Sequence, residues 1–201
     1  MKDYVKNLSP NAERRFFEST IGFEKRDEGV DENVIEGYAA VFNKDSQDFG
    51  GWVERIAPNA FADVLKDNAV ALFNHDMNLV LGRNGVNVTL SQDDSGLRYK
   101  VKLPDTTFAK DLRQLIKDGI IHQSSFAFTV KEQRWTKPAK EGEKHIRTIE
   151  KIGRLYDVSP VTTPAYPDAS VGARSFEGVQ EEKMTEEMAE DLITINKHKY
   201  N

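Results

Sequence analysis

Apolar and polar positions change rhythm several times along the chain, and each change marks an element. Residues 1 to 32 are charge-mixed, with "RRFF" and "TIGF" as apolar islands; this reads as a loosely ordered arm with room for an edge strand. From Val34 the stretch "VIEGYAAVFN" is apolar and β-prone, and "KDSQDFGG" after it is a loop. "APNAFADVLKDN" predicts a short helix with Pro58 near its start and Phe61, Val64 and Leu65 on one face. "AVALFNHD" reads as a strand. "VNVTLSQDDSGLRYKVKL" alternates on both sides of "DDSG", a hairpin pattern.

The clearest helix signal is "PDTTFAKDLRQLIKDGII". Asp105 or Thr106 can cap it, Phe108, Leu112, Leu115 and Ile116 form the apolar stripe, and Gly119 stops it. "HQSSFAFTV" comes next as a strand, then the charged loop "KEQRWTKPAKEGEKH" and a long return strand, "IRTIEKIGRLYDVSPV". Roughly eight short strands and two or three helices, without βαβ alternation, predict an α+β fold centred on a mostly antiparallel sheet or barrel. The organisation expected is an arm at 1–32, a compact domain at 33–175, and a tail at 176–201. That tail has seven acidic residues against three lysines and suits either a short amphipathic helix or disorder.

Composition narrows the chemistry. With 38% hydrophobic and 30% charged residues, a chain of 201 residues suits one domain with tails. It has no cysteine, which removes disulfides, thiolate metal sites and cysteine nucleophiles. A net charge of −5 argues against a nucleic-acid partner. No apolar run approaches the ~20 residues that span a bilayer, and the N-terminus lacks a signal-peptide core, so no membrane association is expected and the chain is expected to stay where it is made.

The stretch "HQSSFAFTV" raises a question of chemistry. Strand side chains alternate faces, so Ser124, Phe126, Phe128 and Val130 share the core face, while Gln123, Ser125, Ala127 and Thr129 share a small, polar one. A nucleophile must stand where substrate and a base can reach it, a condition that Ser125 meets and Ser124 does not. Space-filling is the commoner use of a strand serine. Of the four histidines, His145 and His198 lie in charged surroundings and His122 is on the wrong pleat face for Ser125. His75 ends an apolar strand just before a turn, where scaffolds present reactive groups. Asn74, His75 and Asp76 also suit a plain turn. A metal site is weaker, because no second ligand accompanies them at a ligating spacing. Asp157, flanked by Leu155, Tyr156 and Val158, and Glu150 on the same strand both remain open as the group that orients the imidazole; Arg154 is the alternative partner for Asp157.

Five blocks then carry a resemblance. "GYAAVFN", "ERIAPNAF", "FNHD", "IIHQSSFAF" and "LYDVSPVTTPAYPDA" occur in the order of similar blocks in tailed-phage prohead proteases, over about Ile35 to Ala173. The resemblance implies a serine endopeptidase with a fold similar to herpesvirus assemblin, a β-barrel ringed by helices. It implies action inside the assembling procapsid in the host cytoplasm, on scaffold or the scaffolding segment of the major capsid protein, and on the protease itself. His75 matches the histidine of the NHD block, Ser125 the serine of the MSFGF-like block, and Asp157 the acid of the EVS block. Ser124 stays the alternative nucleophile and Glu150 the alternative acid. No cofactor and no metal are implied; self-association is open. Asp157 stands where Glu is commoner, Asn59 where PGAF has Gly, and Ala127 where MSFGF has Gly. Asn tolerates the left-handed conformation that Gly supplies. Possible oxyanion donors are the N–H groups of Val161, Thr162 and Thr163. The competing function is a protease-fold scaffold or assembly chaperone that binds capsid protein.

Overall fold

The computed structural model describes residues 9–17, 21–26, 29–140, 142–162 and 176–177. In chain order the strands are β1 (Glu13–Phe17), β2 (Ile21–Arg26), β3 (Gly29–Val41), β4 (Trp52–Ile56), β5 (Val70–Phe73), β6 (Asp76–Arg83), β7 (Val88–Gln92) and β8 (Gly96–Lys102). The helix α1 (Thr107–Lys117) comes next, then β9 (Gln123–Thr136) and β10 (His145–Val161). The chain divides into units at 1–168 and 169–201, and all of these elements belong to the first.

One sheet runs β1-β9-β10-β5-β6, with β4 also on β10; the other runs β2-β3-β8-β7. Of the sheet or barrel expected, the described residues form two open sheets; they do not close into the barrel that the resemblance implied. Period-two patterning marks a strand but not the register that would close a ring. The rest is α+β and mostly antiparallel, with β4 and β5 parallel to β10. Of the two or three helices expected, α1 is the α-helix of several turns among the described residues, and Phe176–Glu177 are also helical. The "APNAFADVLKDN" stretch makes only a 3-10 turn, Ala62–Val64, because its bonds run i to i+3 (Ala62 N–H to Asn59 O, Val64 N–H to Phe61 O). Asn59 sits at φ 64°, the left-handed conformation anticipated at that position.

Ala109, Leu112 and Ile116 of α1 are buried, with Phe108 and Leu115 packed against the same core. Gly119 at φ 73° ends the helix. Phe126 and Phe128 on β9 stack at 4.7 Å, and Phe61 meets Phe126 edge-on at 5.6 Å. Burying each such ring contributes about 1.5–3 kcal/mol. These contacts fix the core face of β9, and therefore which of its side chains face the other way.

The expected N-terminal arm contains β1 and β2. β1 is bound to the body by four buried charges. Arg147 on β10 meets both carboxylate oxygens of Glu13 at 2.8 and 2.9 Å, and Arg15 meets Glu54 on β4 at 2.7 and 3.1 Å. Arg15 also bonds Glu13, and Arg147 bonds Glu54 at 2.7 Å. Burial disfavours the Glu13 carboxylate, but the hydrogen bonds and charges of Arg147 and Arg15 outweigh it and hold the carboxyl below its usual range.

Candidate active site

β5 and β6 are joined by a two-residue turn, Asn74–His75, with both residues at positive φ, 55° and 56°. This is the backbone of a tight hairpin turn, which favours Asn-Gly; here histidine takes the glycine position. The turn is tied down. Asn74 N–H donates to Pro160 O at 3.0 Å, and Asn74 Oδ1 accepts Thr162 N–H at 2.9 Å. The imidazole is thereby held at the C-terminal end of β10 and beside β9.

Asp157 reaches that face through a defect. Between Leu155 and Asp157 the β10–β9 register slips, so that Leu155 opposes Phe128 while Asp157 opposes Ala127. Without the slip, Asp157 would share the core face of Leu155. A bulge inserts one residue and redirects the side chains beyond it. Asp157 and Ser159 then stand on the side of Ser125, and Val158 opposite Phe126 on the core side.

Three side chains meet there. His75 Nδ1 lies 2.6 Å from Asp157 Oδ1, and His75 Nε2 lies 2.7 Å from Ser125 Oγ. All three are buried; Ser125 is 1% exposed. Facing a carboxylate, Nδ1 carries the ring proton, which leaves a lone pair on Nε2 toward the hydroxyl. A fourth residue, not singled out from sequence, joins them. The Ser159 hydroxyl donates to Asp157 Oδ1 at 2.9 Å and lies 3.3 Å from His75 Nδ1. Its signal was its spacing, two residues past Asp157 on the same pleat face. The other carboxylate oxygen, Oδ2, is buried without a hydrogen-bond partner among the described residues.

The alternatives go elsewhere. Ser124 Oγ is buried and shares a 2.7 Å hydrogen bond with Tyr99 OH; burial drives that phenol's ionisation far above its usual pH. Glu150 accepts from Arg134 at 2.9 Å on an exposed surface. Arg154 lies over the Tyr156 ring rather than at Asp157. His122 lies 3.3 Å from Gly119 O, and His198 is outside the described residues. Asp76 Oδ1 accepts Asn78 N–H, a turn role, and no metal-holding cluster occurs among the described residues. Of the oxyanion candidates, Thr162 N–H is committed to Asn74, Thr163 is outside the described residues, and Val161 ends β10 opposite Gln123.

An orienting carboxylate, an imidazole and a hydroxyl in line constitute an activated-nucleophile geometry. Among known proteins, the family model for the caudovirus prohead serine protease matches residues 20–184. The chain belongs to that family. It is accordingly a serine protease of phage capsid assembly, and the His, Ser and Asp positions just described all fall inside the matched span. No curated protein matches the chain. Among solved structures, the bacteriophage T4 capsid assembly protease, gp21, covers 75% of this chain and 97% of its own at 12% identity and TM-score 0.43, too slight a likeness to carry an assignment. No helix among the described residues is long and apolar enough to cross a membrane.

Proposed function

We propose that Ser125, His75 and Asp157 are the catalytic triad of this prohead protease, and that it cuts scaffold or the scaffolding segment of the major capsid protein. The continuous chain from Asp157 Oδ1 through His75 to Ser125 Oγ, at 2.6 and 2.7 Å, supports this reading above all else. Ser125 Oγ attacks the peptide carbonyl carbon while its proton moves to His75 Nε2. Asp157 accepts the Nδ1–H and stabilises the imidazolium. Collapse of the tetrahedral adduct expels the amine, which takes the proton from Nε2. A water, deprotonated at Nε2, then attacks the acyl carbon; the bond to Ser125 Oγ breaks, Oγ takes back the Nε2 proton, and the acid product leaves. The arrangement uses no metal and no cofactor.

The setting is the assembling procapsid in the host cytoplasm. The arm at 1–32 and the acidic tail at 176–201 are segments for self-cleavage or docking around a working domain at 33–175. Co-expression with the cognate capsid or scaffold protein, read by intact mass, tests the assignment. Wild type and Ser124→Ala should process the substrate, and Ser125→Ala should process neither substrate nor itself. Processing that survives Ser125→Ala but fails in Ser124→Ala overturns the nucleophile. A wild type that cuts nothing under assembling conditions favours a protease-fold scaffold or chaperone.

A further inference from the structure

The Ser125 hydroxyl faces two acceptors. Its Oγ lies 2.7 Å from His75 Nε2 and donates to the backbone carbonyl of Arg15, on β1, at 3.0 Å. A serine hydroxyl carries one proton. With the Nδ1 proton directed at Asp157, Nε2 and Arg15 O compete for it, and a hydroxyl donating to Arg15 is not donating to its base. The carbonyl that quenches the nucleophile comes from an edge strand. β1 runs antiparallel along β9, with Arg14 opposite Ala127, Arg15 opposite Phe126 and Phe16 opposite Ser125. An extended peptide adds itself to a sheet edge in this manner.

We propose that the edge of β9 beside Ser125 is the site of the substrate strand, and that Glu13–Phe17 occupies it in the resting protein. The inference rests on the triad reading. Charge supports it. β1 contributes Glu13 and Arg15, one of each sign, and the body contributes Glu54 and Arg147, already paired at 2.7 Å. Withdrawing β1 therefore leaves a balanced pair in the body instead of a buried orphan charge, whose cost would be several-fold larger. β1 also precedes the span 20–184 matched by the family. The lining sets the ligand class: an extended peptide with an acidic side chain facing Arg147 and a basic one two residues later facing Glu54. The bond after the basic residue then lies at Ser125. A capsid or scaffold segment of this kind must displace β1 to be cut.

The chain has no cysteine, so one engineered pair gives an unambiguous lock. Arg14→Cys and Ala127→Cys place thiols on directly opposed residues of β1 and β9. The full-length double variant is treated with a fluorophosphonate in its oxidised and reduced forms, and the adduct is mapped by mass. The reduced form should be modified at Ser125 at least about tenfold faster, because only it populates the open edge. A synthetic peptide of residues 11–18 should slow that reaction, and the same peptide with Gln at positions 13 and 15 should not. Equal rates at Ser125 in both forms overturn the inference and leave the triad standing. No Ser125 adduct in the reduced form also overturns it, and the Ser125→Ala co-expression result then decides the triad separately. In the wild-type chain, β1–β9 ladder amides should exchange at least about tenfold faster than β9–β10 amides; equal protection would show that β1 is a permanent strand.

Discussion

Ser159 lies directly opposite Ser125 on the neighbouring strand, and its hydroxyl is bonded to the carboxylate behind His75. Two serines in register thus sit at opposite ends of one hydrogen-bonded chain, one proposed to react and the other to hold the acid in place. Removing the second with Ser159→Ala should lower kcat about tenfold with KM unchanged, the weight of one hydrogen bond to a charged group. Ser159→Thr keeps the hydroxyl and should recover most of the rate. Equal kcat in all three proteins would make Ser159 a packing residue.

Asp157→Asn preserves shape and removes charge. The carboxamide can present N–H to the ring, favouring the tautomer that puts a proton on Nε2 and blocks it as a base. A fall in kcat of about 10⁴-fold is expected, with the thermal midpoint little changed. Steady-state kinetics on a peptide substrate beside a melting curve separates this from unfolding.

The hydroxyl pair behind the nucleophile is predicted to be structural. Tyr99→Phe strands the buried Ser124 hydroxyl and should cost about 1–3 kcal/mol. Adding Ser124→Ala removes the stranded group and should restore part of that loss. Urea unfolding of the two single variants and the double gives the coupling; strict additivity would mean that the 2.7 Å contact contributes nothing.

Acid should loosen β1 first. The Glu13 carboxyl titrates below its unfolded value of about 4.3, so its contribution to stability is complete above that pH and disappears as pH falls through the folded value. Glu13→Gln should be less stable near neutrality and should lose less on acidification. Melting temperatures of both proteins from pH 7 to pH 3 check the slope, and parallel curves would exclude Glu13 as a contributor.

Pleat alternation was enough to separate Ser125 from Ser124, because Phe126 and Phe128 declare the core face and the strand has no bulge between them and the serines. The same counting fails on β10. From Leu155, a period of two puts Asp157 in the core, and only the slip at that point turns it toward His75. Its apolar neighbours and the family resemblance marked Asp157, while the orientation itself depends on pairing with β9. Glu13, Arg15, Glu54 and Arg147 were illegible for a related reason. Their partners are up to 134 residues apart, and charges standing singly, Glu13 and Arg15 in a polar arm and Glu54 and Arg147 on separate strands, read as solvated. The stripe of α1 was plain because all its information lies within eleven consecutive residues.

The turn that carries His75 constrains what the chain can become. Two successive side-chain-bearing residues in the left-handed region cost about 1–2 kcal/mol each, and glycine at either position would relieve that cost. His75→Gly would delete the imidazole. Asn74→Gly would delete the amide oxygen that fastens the turn to Thr162. On the triad proposed above, selection for stability and selection for activity pull in opposite directions at His75, and screens for thermostable variants should return His75→Gly only among clones that no longer cut; at Asn74 the lost bond to Thr162 offsets the gain from glycine.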